Sequence, residues 1–238
     1  MELTKNQNIG ELVATDYRTA QVFKNHNIDF CCHGNRSIEE ASSEKNLDPE
    51  TLLKEIRKIH ETNDNGTDFR SWPLDLLADY VEKKHHRYVE KQIPVLKEYL
   101  AKINQVHGQK HPELEDIQTL FNETSGELSA HMKKEELILF PLIRKLAVNT
   151  SENKNIEKKP SVSAPIQKMM EEHDSEGARF QKIHELSGNY APPADACNTY
   201  RTAFSLLKEF ENDLHEHIHL ENNILFPGAI GLEKERLN

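Results

Sequence analysis

His131-Met-Lys-Lys-Glu-Glu-Leu-Ile-Leu-Phe-Pro141 is the first of two copies of one short pattern in this chain. The second copy reads His217-Ile-His-Leu-Glu-Asn-Asn-Ile-Leu-Phe-Pro227. In both copies a glutamate follows the histidine by four residues, and residues with this spacing lie on one face of a helix with Cβ atoms ~5–6 Å apart. Each copy therefore presents one imidazole and one carboxylate together, in front of a mostly apolar segment.

A further histidine precedes each copy at nearly the same distance. His86 lies 45 residues before His131, and His173 lies 44 residues before His217. The duplicated pattern therefore supplies four imidazoles and two carboxylates. This is a complete ligand set for a two-metal site inside a helical bundle, in which metals are held by side chains from facing helices.

Apolar residues flank both His-Glu pairs along the same helix face, so the pairs are expected to point into a core. An ionised glutamate in such a core is costly unless a partner compensates its charge. The same feature occurs twice in register, which indicates bound cations. Carboxylate and imidazole ligands favour iron or manganese over calcium, magnesium or structural zinc. The flanking residues are Leu128, Leu139 and Leu142 in the first copy, and Leu207, Phe210, Leu214 and Leu225 in the second.

Two adjacent histidines compete for one ligand position. His85 and His86 cannot both face the core of one helix, and helical periodicity does not decide between them. The spacing to His131 favours His86, because 45 residues match the 44 of the other half better than 46. Apolar neighbours on the side of His86 are Val89, Ile93, Leu96 and Leu100, and those on the side of His85 are Val81 and Tyr88.

His215-Glu-His-Ile-His219 offers an alternative, because it matches the H-E-x-x-H signature of zinc metallopeptidases with Glu216 as the base. The face that carries these histidines is expected to be solvated, and the first copy of the repeat lacks the signature. A peptidase is therefore disfavoured. The polar residues on that face are Lys208, Asn212, Asn222 and Asn223.

The sequence predicts two groups of helices. Residues 8–26 read as one helix, Ser37 is expected to cap a second with Glu40 as its capping-box partner, and Asp48-Pro49 starts a third. These elements form a small helical domain, followed by a linker over residues 63–68. Four longer helices are predicted over residues 73–106, 112–146, 164–187 and 196–226, with a kink at Pro94 and a loop over 149–163.

Composition restricts the classes of function. The 238 residues carry a net charge of −10 without a dense basic stripe, which disfavours nucleic acid or anionic lipid as a partner. No apolar run approaches the ~18–20 residues of a membrane span, and the N-terminus lacks the pattern of a signal peptide. The mean hydropathy is −0.75, and three cysteines do not make a disulfide framework. We therefore expect a soluble protein of the cytoplasm.

Asp29-Phe-Cys-Cys-His-Gly34, together with the two bundle segments, resembles a known family. The bundle is similar to hemerythrin-like domains, and nearly the whole chain resembles the RIC (repair of iron centres) family, the YtfE/ScdA group. The resemblance implies an all-α fold, with an N-terminal ScdA-type helical domain over residues 1–62 and a hemerythrin-like di-iron four-helix bundle over residues 72–230. Members commonly read DFCCGG, so His33 replaces the first glycine.

The resemblance also implies a non-haem di-iron centre with an oxo or hydroxo bridge. Oxygen-carrying hemerythrins have one more histidine, one turn after the third-helix ligand, where this chain has Gly177. One iron should therefore have more open coordination, suited to small-molecule binding, redox change or metal release. The implied ligands of the two iron ions are His86, His131, Glu135, His173, His217 and Glu221.

The function implied by the resemblance is repair of iron–sulfur clusters damaged by oxidative or nitrosative stress, by iron donation, NO binding or both. Damaged iron–sulfur proteins and NO, O2 or peroxide would then be the partners, and a homodimer is compatible with the small N-terminal domain. Two alternatives stay open: an O2- or NO-sensing module, and an enzyme that reduces NO. The sequence does not rank catalysis against stoichiometric iron donation.

Four other candidate residues each have two alternative roles. Glu127 and Glu172 lie next to predicted ligands and either orient a ligand or pass protons, or are solvated helix residues. Cys31 and Cys32 have a role in iron delivery or redox sensing that the family suggests, or they pack as small apolar side chains. Cys197 is interpreted as structural.

Overall fold

The computed structural model describes residues 3–62, 67–148 and 161–237. Within these ranges the chain is helical and has no β-strand, only an isolated bridge between Asn8 and Ser37. The expected all-α class is confirmed. Most of the predicted linker over 63–68 and of the predicted loop over 149–163 lies outside the described residues.

The chain divides into two compact units. One comprises residues 1–77 together with 218–238, and the other comprises residues 78–217. The boundary falls inside the last long helix, between His217 and Ile218. The domain limits expected from the sequence, 1–62 and 72–230, stay predictions.

Helix-capping residues determine where the helices of the N-terminal segment begin. Ser37 and Glu40 form the expected capping box, and Asp48 caps a helix with Pro49 at its first turn, so both predictions are confirmed. The helices are α1 (Ile9–Thr15), α2 (Ala20–Asn25), α3 (Ile38–Glu44), α4 (Pro49–His60) and α5 (Leu74–Tyr80), with 3₁₀ turns at Tyr17–Thr19 and Phe69–Ser71.

The prediction of one helix over residues 8–26 is wrong. Asp16 is extended, with φ −146° and ψ 98°, and its carboxylate accepts a hydrogen bond from the backbone N–H of Arg18. An aspartate that bonds to the nearby backbone favours a helix cap over a helix interior. The helix therefore ends at Thr15 and restarts through a 3₁₀ turn.

Within the first unit, the C-terminal segment packs against the loop that contains the adjacent cysteines. The Asn222 amide donates to the carbonyl of Cys31 at 3.2 Å, and the Asn223 amide donates to the same oxygen at 3.3 Å. Gly10 lies beside Asn223, whose Oδ1 would be 2.4 Å from an added Cβ, so only glycine permits this approach. The asparagine pair therefore holds this loop in place.

The long helices of the bundle lie mostly in the second unit, and the last of them continues past His217 into residues of the first. Three of the four predicted helices are interrupted by a π-helical segment: Val81–His86, Glu135–Leu139 and Glu221–Leu225. Pro94 lies inside α6, which continues past it. The helices are α6 (Arg87–His107), α7 (Glu113–Lys134), α8 (Phe140–Val148), α9 (Ser163–Leu186), α10 (Asn198–Leu220) and α11 (Phe226–Leu237), the last of which belongs to the first unit.

Phe210 on α10 is the aromatic residue at which four helices meet. Its ring centroid lies 6.2 Å from that of Tyr88 on α6, 5.5 Å from Phe121 on α7 and 5.6 Å from Phe180 on α9. Edge-to-face and stacked ring pairs at such distances add to the stabilisation from apolar burial. These contacts make the second unit a four-helix bundle. No helix among the described residues combines the length and apolar character that crossing a membrane requires.

Replacing Phe210 tests how far bundle stability depends on this contact. Phe210 is 1% exposed, and Phe210→Ala is expected to lower the free energy of unfolding by ~3–5 kcal/mol because it leaves a cavity. The matched control is Val106→Ala, since Val106 is 64% exposed in the same unit and should change stability by less than ~0.5 kcal/mol. Urea unfolding followed by circular dichroism measures both, and equal effects would contradict this assignment of the core.

Candidate metal centre

Glu135 lies at the centre of the buried histidine cluster. It begins the π-segment after α7 and is 0% exposed. Its Oε2 lies 3.4 Å from Nε2 of His86 and 3.3 Å from Nε2 of His131. One carboxylate thus faces an imidazole from each of two helices.

Two sets of possible ligand atoms share this carboxylate. His86, Glu135 and His217 offer atoms that all lie within 4.8 Å of one another, and so do His131, Glu135 and His173. All five residues are buried. The sequence-predicted residues from the four long helices therefore converge into two adjoining sets with Glu135 in common, and both sets could hold a metal ion.

The ring nitrogens of His131 and His173 support a fit to a transition-metal ion. Their Nε2 atoms are 3.0 Å apart. Bonds from imidazole nitrogen to zinc are ~2.0–2.1 Å long, and bonds of that length to neighbouring octahedral positions place two nitrogens ~3 Å apart. The donor set of imidazoles and a carboxylate therefore suits a divalent transition metal.

Glu221 is the remaining predicted ligand. It is 0% exposed and begins a π-segment, as Glu135 does. It follows His217 by one turn of the same continuous helix, just as Glu135 follows His131. The sequence repeat thus extends to the local backbone conformation, which supports equivalent roles for the two glutamates.

A carboxylate orients the outer nitrogen of two of the imidazoles. Nδ1 of His86 lies 3.0 Å from Oε1 of Glu136, and Nδ1 of His131 lies 2.9 Å from Oε2 of Glu172. Metal-ligating histidines usually bond to a carboxylate or carbonyl in this way, which fixes the tautomer and the ring orientation. The two contacts leave each Nε2 pointing towards the shared carboxylate of Glu135.

Basic residues on the surface keep these orienting carboxylates ionised. Burial alone raises the pKa of Glu172, but hydrogen bonds from Lys134 and His131 outweigh it and lower this pKa below its ordinary value. The pKa of Glu136 is also lowered, because Lys133 and His86 outweigh its burial. Both groups are therefore available as acceptors near neutral pH.

His85 is placed differently from His86. Its Nδ1 lies 3.1 Å from Asp213 Oδ1, and its ring stacks on His217 with centroids 5.5 Å apart and an interplanar angle of 13°. Burial lowers its pKa. His85 contributes to neither set of ligand atoms, so the geometry favours His86, as the spacing did.

Several other sequence expectations have different outcomes. Glu172 lies beside a predicted ligand, whereas the side chain of Glu127 is 61% exposed and pairs with Arg179. The face of His219 was expected to be solvated, and this is wrong. His219 is buried between the rings of Tyr17 and Phe30, each with its centroid 5.7 Å away.

The structure does not support the metallopeptidase alternative. Asn222 is also buried, because it bonds to the cysteine loop. Neither His215 nor His219 belongs to a group of three or more closely placed donor atoms within the described ranges. Burial lowers the pKa of His219 to about 3, so its ring is neutral at physiological pH.

Comparisons with known proteins place the buried histidine cluster in a cation-binding domain. Residues 77–229 match the hemerythrin HHE cation binding domain, and residues 5–60 match ScdA_N, a domain of unknown function. The iron-sulfur cluster repair protein YtfE of Yersinia pestis (strain Pestoides F) is 33% identical over 226 residues, which are 95% of this chain and 97% of that protein. The chain belongs to the family of this iron-sulfur cluster repair protein. The protein of the same name from Yersinia pseudotuberculosis serotype O:1b (strain IP 31758) has the same identity and coverage.

Family membership confirms the expected fold class, a hemerythrin-like helical bundle preceded by a small helical domain. It also shows that the bundle is a cation-binding domain. Sequence reasoning missed Glu136 and Asp213 as partners of buried imidazoles. Both look like solvated helix residues in the sequence. Glu136 directly follows a predicted ligand, which is a weak signal of its role, and Asp213 has no such signal.

The neighbouring histidines predict different metal contents. His86→Gln should lower the amount of bound transition metal, because it removes an imidazole whose Nε2 faces Glu135. His85→Gln is the matched control and should retain the wild-type amount. Elemental analysis after anaerobic reconstitution measures both, with circular dichroism to verify folding. Loss of metal in His85→Gln with retention in His86→Gln would reverse the assignment.

Cys197, expected to be structural, is an exposed free thiol, and its structural role stays a prediction. It directly precedes α10, and its Sγ lies 3.2 Å from Nε2 of His107. Hydrogen bonds from the backbone N–H of Tyr200 and from His107 lower its pKa to about 7. Cys197 is thus a thiol with much thiolate at neutral pH.

The alkylation rate of Cys197 should reach half its maximum near pH 7. Thiolate is the reactive form, so the rate rises as the pH rises through the pKa. Removing one hydrogen bond in His107→Ala should move the midpoint towards the ordinary value of about 8.5. Peptide mass spectrometry after brief iodoacetamide treatment at several pH values measures both profiles. An unchanged midpoint in the variant would contradict the role of His107.

Proposed function

We propose that this chain repairs iron–sulfur clusters damaged by oxidative or nitrosative stress, using two iron ions held in the bundle. The observation that carries the proposal is the buried carboxylate of Glu135 with His86 on one side and His131 on the other. The relatives named for iron–sulfur cluster repair, similar over 95% of this chain, supply the biological role.

The proposed ligands divide between two ions that share carboxylates. His86 and His217 would hold one ion, and His131 and His173 the other, with Glu135 between them. Glu221 would be the sixth ligand, because it repeats the position and burial of Glu135 in the second copy of the sequence pattern. A bound iron pair would supply redox change and the binding of NO, O2 or peroxide.

The protein's own residues prepare the site for that chemistry. Glu136 and Glu172 fix the ring orientations of His86 and His131. The ring of Phe140 stacks on His86 with centroids 5.5 Å apart and excludes water on that side. Gly177 contributes no imidazole to the side of His173, which favours small-molecule binding or metal release over reversible oxygen storage.

Charge and thiol content support the proposed partners and location. A net charge of −10 disfavours nucleic acid, which leaves damaged iron–sulfur proteins as the proposed macromolecular targets. All three cysteines are free thiols, as is usual in a reducing compartment. We therefore propose the cytoplasm as the location.

Recovery of a damaged enzyme tests the proposal. A [4Fe–4S] hydratase inactivated with NO should regain activity faster with the iron-loaded chain than with an equal amount of free ferrous iron. The His131→Ala/His173→Ala double variant should give no gain, because it removes both imidazoles from one ion. His85→Gln is the control that keeps the proposed ligands. Equal recovery with the chain and with free iron would overturn the repair function.

A sensing module is the second candidate, favoured by one observation. The amides of Asn222 and Asn223, directly after Glu221, hold the backbone of the Cys31 loop. A change at the proposed ligand Glu221 could thus reach the N-terminal segment through two residues. This candidate predicts a partner protein that binds the chain in one oxidation state of the iron only, measured by affinity capture with reduced and oxidised protein.

A further inference from the structure

The loop between α2 and α3 brings three metal-binding side chains together. Asp29, Cys31 and Cys32 offer one ligand atom each, and these atoms all lie within 4.8 Å of one another. The two sulfurs are 3.9 Å apart, and Sγ of Cys31 lies 3.3 Å from Oδ1 of Asp29. We propose that these three residues form a second cation site, for a thiophilic divalent ion such as Zn²⁺, separate from the cluster in the bundle.

The distances between these atoms match a tetrahedral ion. Zinc binds thiolate sulfur at ~2.3 Å and carboxylate oxygen at ~2.0–2.2 Å. In a tetrahedral site these bond lengths place two sulfurs ~3.8 Å apart and a sulfur and an oxygen ~3.5 Å apart. The loop holds both pairs within a few tenths of an ångström of these separations, so little rearrangement is needed.

Hydrogen bonds hold the loop in this conformation. Oδ1 of Asp29 accepts from the backbone N–H groups of Cys31 and Cys32, each at 3.0 Å. The Arg36 guanidinium donates to the carbonyls of His33 at 2.9 Å and of Asp29 at 3.0 Å. With the Asn222 and Asn223 amides on the carbonyl of Cys31, both sides of the loop are fixed.

His33 completes the surroundings of the site. Its Nδ1 lies 2.6 Å from Oδ2 of Asp29, the oxygen that does not face the thiols. This contact fixes the carboxylate, which helps affinity as partners of metal ligands generally do. The His33 side chain is 58% exposed, so solvent reaches this side of the loop. Three protein ligands with a fourth position open to solvent describe a site that can exchange its ion.

Binding exchanges protons for the ion and needs no oxidant. Hydrogen bonding with Cys32 and burial raise the pKa of Cys31 well above its ordinary value, so the empty loop holds a neutral thiol there. Burial raises the pKa of Asp29, but the hydrogen bonds with His33, Cys32 and Cys31 together outweigh it and keep this pKa below its ordinary value. Each S–H bond breaks as its sulfur–metal bond forms, and two protons leave to solvent for each ion bound.

Cobalt(II) is the probe, added to the full chain after its bundle has been loaded with iron. Cobalt bound by thiolate gives an intense charge-transfer absorption that imidazole and carboxylate ligands do not produce. The wild type should bind one Co²⁺ with this absorption and release two protons, measured with a pH indicator in weak buffer. Added Zn²⁺ should displace the cobalt and abolish the absorption.

Variants of the loop separate the ligands from their supports. Cys31→Ser and Cys32→Ser should each lose the absorption. Asp29→Asn keeps an oxygen for the backbone hydrogen bonds but loses the charge, and it should weaken binding at least ~10-fold, as should His33→Gly. Cys197→Ser is the matched control, because Cys197 is the other free thiol and lies beside His107, and it should bind as the wild type does.

Two outcomes would overturn the site. One is absence of thiolate absorption in fully reduced wild-type protein, as expected if the adjacent cysteines serve only as a redox pair. The other is loss of the absorption in Cys197→Ser with retention in Cys31→Ser. Iron content is measured in every sample. A chain that keeps its iron but fails to bind cobalt would contradict this inference and leave the proposed repair function standing.

Discussion

The buried carboxylate of Glu135 is the feature on which the rest of the bundle depends. It is fully enclosed, with the Nε2 atoms of His86 and His131 within 3.4 Å. Taking a carboxylate out of water costs several kcal/mol unless a cationic partner compensates its charge. The proposed pair of shared cations would resolve the conflict, because it would neutralise the carboxylate and use the lone pairs of the surrounding rings. The buried polar cluster is thus consistent with a metal centre, whereas an apolar core would be the more stable choice without one.

Local helix geometry adapts to this requirement. Three π-segments interrupt the long helices, and each begins or ends at a proposed ligand: His86, Glu135 and Glu221. A π-turn contains one residue more than an α-turn, and such turns are frequent at functional sites. The wider turn re-aims the ligand while the apolar face on either side, with Phe210 among its residues, keeps its packing. Glu136 and Glu172 then fix the rings from the outer side.

Much of the site was predictable because its signals are local and repeated. The i, i+4 spacing of His131 and Glu135 and its second copy need only helix periodicity, and Ser37 and Asp48 follow capping rules. The π-segments were not predicted, because the extra residue shifts the apolar pattern by only one position and each long helix was read with one continuous periodicity. The burial of His219 and the role of Glu136 depend on contacts between distant segments. Asp16 broke a predicted helix because its side chain competes for backbone N–H groups.

The metal content and Mössbauer spectrum of the anaerobically purified chain test the central claim most directly. The account predicts two irons per chain in non-haem sites that are magnetically coupled through shared ligands, and a loss of thermal stability when a chelator removes them. An iron-free chain that unfolds at the same temperature with and without added iron would contradict it. So would a single uncoupled iron, since Glu135 would then have no second ion to join.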